Sequence, residues 1–100
     1  MNIKNHSSKD FFEQYGALTF AEMLHGFRLA DGASQVDFAK RLGISPANLC
    51  DLEKGRKLPS ALRAAAIAKK LGLPEVLLIQ IALQDELRKQ KIKYKVSVAA

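Results

Sequence analysis

Three cations close around one glycine in Lys54-Gly55-Arg56-Lys57, inside the most positive part of the chain. Residues 40–70 carry eight Lys and Arg against Asp51 and Glu53, a net +6. Residues 1–39 are net −2 and residues 71–100 net +2. A basic middle segment suits a polyanion partner, and a solvated lysine-rich surface accounts for the charge equally well. Other reactive residue types are sparse. Cys50 is the single cysteine, which excludes an internal disulfide and a Cys-rich zinc site. His6 and His25 stand nineteen residues apart, with no carboxylate arrangement to suggest a metal. There is no G-x-S-x-G, phosphate-binding loop or paired-carboxylate motif, so no enzymatic activity, metal or cofactor is expected.

These groups need a scaffold, and the composition describes one. The 100 residues are 48% hydrophobic and 26% charged, the balance of one globular domain rather than a disordered chain. Seven aromatics and no Trp leave the core to Leu, Ile, Ala and Val. No apolar run approaches the length of a membrane span, and the first ten residues lack the apolar stretch of a signal peptide. The expectation is a cytoplasmic single domain.

Start and stop signals recur along the chain. Thr19-Phe-Ala-Glu22 fits a capping box, and Phe20, Met23, Leu24 and Phe27 repeat at helical spacing until Asp31-Gly32. Ser34 caps a second helix, with Asp37 at N3, Gly43 at its end, and Val36, Phe38, Ala39 and Leu42 expected inside. Ser45-Pro46 reads as N-cap and N1 proline of a third helix running through Leu49 and Leu52 to Gly55. A fourth helix follows Pro59-Ser60 and ends at Gly72, with Ala61, Ala64, Ile67, Ala68 and Leu71 as its apolar stripe. A fifth runs from Pro74 to about Lys89. A short additional helix is expected over residues 8–15, before Gly16. In the tail, Ile92, Tyr94, Val96 and Val98 alternate with Lys91, Lys93, Lys95 and Ser97, a strand signal. One strand alone leaves its hydrogen bonds unmet, so it must pair elsewhere or stay disordered.

The second and third helices, expected at eight and nine residues, are separated only by Gly43-Ile44-Ser45. That is the spacing of a helix-turn-helix, with Ala39 at the crossing and Ile44 filling the space beneath the turn. From about Thr19 to Leu73 the chain resembles the lambda-repressor-like, Cro or XRE class of DNA-binding domains. The resemblance is carried by Ser34-Gln35-Val36-Asp37-Phe38-Ala39-Lys40-Arg41-Leu42-Gly43-Ile44-Ser45, by Leu49-Cys50-Asp51-Leu52-Glu53-Lys54-Gly55-Arg56 to Pro59, and by Ile67-Ala68-Lys69-Lys70-Leu71-Gly72. It implies an all-α, five-helix bundle with the helix-turn-helix over residues 35–54.

The resemblance also implies roles. Ser34, Gln35 and Ser45 stand at helix N-termini, where free N–H groups hold a DNA phosphate. Lys54, Arg56 and Lys57 lie on the exit loop, which in the family follows the phosphate backbone. The third helix corresponds to the helix that enters the major groove, exposing Pro46, Ala47, Asn48, Cys50 and Asp51. Pro46 and Ala47 replace the long polar residues usual there and offer apolar contact to a thymine methyl. Asn48 suits adenine or a phosphate; Asp51 suits cytosine N4, or pairs with a cation such as Lys54. Cys50 reads as a small residue rather than a redox switch, and Lys40 and Arg41 as solvating charges. Arg28 and Glu53 match a pair that family members hold as an inward salt bridge. If it is buried, removing one partner costs about 3–5 kcal/mol.

The fifth helix is more apolar than one face requires, so Val76, Leu77, Ile79, Ile81, Leu83 and Leu87 are candidates for a homodimer contact. A twofold dimer sets two reading helices on half-sites about 34 Å apart on double-stranded DNA. The other possibility is that Phe11, Phe12 and Tyr15 fold back over this stripe. The chain thus divides into an extension (1–18), the DNA-binding domain (19–73), a C-terminal helix (74–90) and a basic strand-like tail (91–100). The expected function is a sequence-specific transcriptional regulator, a dimeric repressor that acts by covering a promoter. The alternative is an antitoxin that binds a toxin protein, through the tail, and represses its own operon.

Overall fold

A computed structural model describes residues 18–99. It contains five helices: α1 (Phe20–Asp31), α2 (Gln35–Leu42), α3 (Pro46–Glu53), α4 (Ala61–Leu71) and α5 (Glu75–Lys89). The fold is all-α, and no strand forms among the described residues. The helix expected over residues 8–15, and the fold-back of Phe11, Phe12 and Tyr15, lie outside the described residues.

The helix starts follow the capping residues. The Thr19 side chain accepts from the Glu22 N–H at 3.1 Å, and Glu22 returns the contact to the Thr19 N–H, completing the capping box. Ser34, Ser45 and Ser60 each accept from the N–H three residues on, with Pro46 in the first turn of α3. The phenylalanine at N1 of α1 gains a partner from afar. Its N–H donates to Asp85 Oδ2 on α5 at 2.7 Å, tying the start of the first helix to the last.

The helix ends share one device. Each C-terminus closes on a left-handed residue, at the cap of α1, α2 and α4 and one position past it in α3 and α5, and the next N–H reaches back to the carbonyl five residues before it, as Ile44 does to Ala39 at 3.0 Å. Glycine takes the left-handed position after α1, α2, α3 and α4. After α5 it is Lys91, at φ 59°, while the Ile92 N–H bonds to the Leu87 carbonyl at 2.9 Å. A side chain in that conformation costs about 1 kcal/mol relative to glycine.

Phe20, Leu24, Phe38, Leu49, Ile67 and Leu78 are the largest fully buried side chains, so all five helices feed one core. Ala39 is fully buried where α2 meets α3, and Ile44 packs against the core under the turn. Val36 is a correction: it is 62% exposed rather than inside. With Phe38, Ala39 and Leu42 facing inward, a residue two positions before Phe38 is turned about 200° away. Ala61 is also exposed, because the first turn of α4 starts at the surface.

Helix α5 packs chiefly on α4 and also on α1. This double packing corrects two expected dimer residues, since Leu77 and Ile81 are buried in the chain's own core. Val76, Ile79 and Leu87 are partly covered and Leu83 is 38% exposed.

The tail does not form a strand, and it finds partners in another way. Gln84 on α5 donates from Nε2 to the Tyr94 carbonyl at 2.9 Å and accepts from the Val96 N–H at 2.8 Å. One turn earlier, Gln80 Oε1 accepts from the Val98 N–H at 3.0 Å. Side-chain amides thus take the place of a neighbouring strand, and the tail runs back antiparallel along α5 with Val96 and Val98 half-buried. We call residues 91–99 the C-terminal arm.

Candidate nucleic-acid interface

Helices α2 and α3 are eight residues each and are joined by Gly43-Ile44-Ser45. The expected nine-residue reading helix is one residue shorter, with Lys54 as its C-cap. Leu49 and Leu52 anchor α3 inward, which leaves Ser45, Pro46 and Ala47 exposed and Asn48, Cys50 and Asp51 half-buried. The N-terminal turn of α3 is therefore the part free to enter a groove. Asn48 lines a hollow of about 200 Å³ with Lys57, Ser60 and Arg63. Arg63, in the first turn of α4, escaped the sequence reading because nothing in its neighbourhood marks it; only folding brings α4 beside α3.

The frame beneath this surface is the Arg28–Glu53 pair. Arg28 Nε donates to Glu53 Oε2 at 2.7 Å and Nη2 to Oε1 at 3.0 Å, a two-pronged contact between α1 and α3. Arg28 Nη1 adds a bond to the Ala33 carbonyl at 3.0 Å, which pins the loop entering α2. The Glu53 side chain is only 3% exposed. Burial pushes its carboxyl up, but hydrogen bonds from Arg28, His25 and Gln35 outweigh this and hold it below its ordinary value. The Glu53 hydrogen bond in turn raises the Arg28 guanidinium. His25, with Nδ1 2.9 Å from Glu53 Oε1, belongs to this cluster though its position suggested no partner. Gln35, half-buried at N1 of α2, lies at its edge.

Asp51 is engaged, and its partners are not the cation named first. Arg56 Nε donates to Asp51 Oδ1 at 3.0 Å, and Lys57 Nζ lies 3.4 Å from Oδ2. Lys54 is the nearer in sequence, but α3 ends there and the chain folds back so that Arg56 and Lys57 face Asp51. Their backbone N–H groups also bond to the Asp51 carbonyl, at 2.9 and 3.3 Å. These cations hold the Asp51 carboxyl below its ordinary value, Arg56 foremost. Arg56 Nη2 further reaches Cys50 Sγ at 3.4 Å, so one guanidinium covers both groups on the inner turn of α3. Arg41 is paired with Asp31 at 3.1 Å on the surface, whereas Lys40 is simply exposed.

The exit loop borders a larger hollow of about 590 Å³, where Lys54, Arg56 and Lys57 meet Arg88 and Lys89 from the end of α5. Sequence distance concealed this meeting. Beneath it lies Asp85, 5% exposed, whose carboxyl is pushed up by burial against the opposing pull of the Phe20 N–H and Arg88. Among the described residues, no group of three or more His, Cys, Asp or Glu is placed to hold a metal ion. No helix there is long and apolar enough to cross a membrane.

The arrangement thus combines an exposed N-terminal turn of α3, serine-capped starts of α2, α3 and α4, and the exit-loop cations beside Arg88 and Lys89. The sequence pattern of the family described as "Helix-turn-helix domain" matches residues 19–79, from the cap of α1 into α5. No curated protein and no solved structure matches the chain. The match fits the resemblance to lambda-repressor-like proteins, and it spans α1 to α4, with the helix-turn-helix and the exit loop, and the start of α5. The chain belongs to the helix-turn-helix domain family.

Proposed function

We propose that this protein is a sequence-specific transcriptional regulator of the XRE type that binds operator DNA as a homodimer and represses by occluding a promoter. The observation that carries this is the exposed N-terminal turn of α3, packed on α2 at the buried Ala39 and tied to α1 by the buried Arg28–Glu53 pair. Phosphates are taken by the N-termini of α2 and α3, at Ser34, Gln35 and Ser45, and by Lys54, Arg56 and Lys57. Pro46, Ala47 and Asn48 meet base edges. Asp51 acts mainly through Arg56 and Lys57, restraining both cations rather than reading cytosine. Val76, Ile79, Leu83 and Leu87 share one stripe of α5 and supply the dimer contact.

The antitoxin alternative needs a tail free to add to a toxin's sheet. Tyr94, Val96 and Val98 already spend backbone groups on Gln84 and Gln80, which weighs against it.

Selection of genomic fragments by the full-length protein at near-physiological salt tests the regulator reading. An aligned inverted repeat with half-sites one turn apart is the expected result. Enrichment without any shared sequence would remove the specific regulator, and co-purification of a bound toxin would replace it with the antitoxin.

A further inference from the structure

We propose that the C-terminal arm is a second duplex-DNA contact, gripping backbone phosphates as a continuation of the exit loop. The inference rests on the DNA-binding reading above and extends its footprint beyond the helix-turn-helix.

Charge is the first argument. After Glu86 the chain carries Arg88, Lys89, Lys91, Lys93 and Lys95 and no carboxylate. Arg88 lines two adjoining hollows: the one it shares with Lys54, Arg56 and Lys57, and one of about 530 Å³ formed with Lys91, Lys93 and Lys95. Cations therefore follow one another from the exit loop, across the end of α5, onto the arm, although Glu22, Glu53 and Asp85 also line the larger hollow and Asp85 Oδ1 accepts from Arg88 Nη1 at 2.8 Å. Such a series of cations matches the uniform negative charge of a duplex backbone.

Order is the second argument. Gln84 and Gln80 fasten the arm to α5 in one register, so its lysines are presented rather than trailing, and less conformational freedom is lost on contact. Val96 and Val98 are half-buried, whereas Lys91, Lys93 and Lys95 are all exposed.

The turn into the arm also carries an unusual residue. Four helices end on a left-handed glycine, yet the one that opens the arm ends on Lys91 in the same conformation. Backbone geometry favours glycine there, so the turn gives no reason for a lysine, and its place beside Arg88, Lys93 and Lys95 in the smaller hollow is what the charge reading uses.

The test measures binding of the full chain to a mixed-sequence duplex across a potassium chloride series, since phosphate contacts do not require the operator. Lys91→Gln with Lys93→Gln is compared with Lys69→Gln with Lys70→Gln, an equal loss of charge at residues that line neither hollow. The arm variant is expected to flatten the log–log salt slope by about 1.8, at 0.9 for each phosphate contact, with the control near wild type. Equal flattening in both, or none in the arm variant, overturns the arm and leaves the helix-turn-helix reading standing. Failure of the unaltered protein to bind duplex at low salt overturns both. Lys91→Gly supplies the second readout: its melting temperature should rise while its slope falls by about 0.9. A rise with an unchanged slope would make Lys91 merely a strained turn residue.

Discussion

Two carboxylates on α3, two residues apart, do opposite work. Glu53 faces inward and is nearly sealed by Arg28 and His25, so its removal leaves a guanidinium stranded at the α1–α3 contact. Glu53→Ala should cost about 3 kcal/mol or more in a urea titration; a midpoint within error of wild type would show the pair to be ornamental. Asp51 is outside and pairs with the exit-loop cations Arg56 and Lys57, which the proposed function assigns to phosphates. Asp51→Asn should therefore tighten binding to mixed-sequence DNA and steepen its salt slope, by about 0.9 for each released cation that meets a phosphate. Weakened binding would instead mean that Asp51 aims Arg56 at the backbone and that the aim outweighs the charge.

At the scale of elements, what was legible in the sequence was whatever is decided locally. Thr19, Ser34, Ser45, Ser60, Pro46 and the glycines at 32, 43 and 72 mark the boundaries, because a cap acts within one turn of its own helix. Arg28 with Glu53 was legible through the family resemblance alone. What depends on the packing of distant segments was not legible: the Asp85 bond to Phe20, the approach of Arg88 to the exit loop, and Arg63 beside Asn48. Val36 failed because its apolar character could not say which way the helix turns. The arm failed more instructively. Its alternation was real, but the required hydrogen bonds came from glutamines on a helix rather than from a strand. Gln80→Ala with Gln84→Ala should free it, seen as faster trypsin cleavage after Lys93 and Lys95 with the helical circular dichroism kept. Unchanged cleavage would place the arm's hold in Val96 and Val98 instead.

For the whole molecule, the two buried carboxylates set opposed pH responses. Glu53 lies below its ordinary value of 4.5, so it contributes stability that is complete above that value and is lost as pH falls through its folded value. Asp85 lies above its ordinary 3.8, so its charged form weakens the fold, and that penalty grows as pH rises through its raised value. Thermal melts should show stability falling on acidification below about pH 4.5. In Glu53→Gln that fall should be shallower, and in Asp85→Asn steeper, since the opposing group is gone. Parallel curves in all three would locate the acid sensitivity elsewhere.

The uniform helix ends have a consequence in time. Each described helix is bounded by bonds between residues no more than five apart, apart from the single long tie to Asp85. Apart from the start of α5, which has no side-chain cap, the ends of each rod are thus favoured by contacts within about one turn, and what remains is the docking of five short pieces. A chain organised in this way is expected to fold with the helical domains rich in local contacts, in microseconds to milliseconds, which stopped-flow or temperature-jump refolding checks.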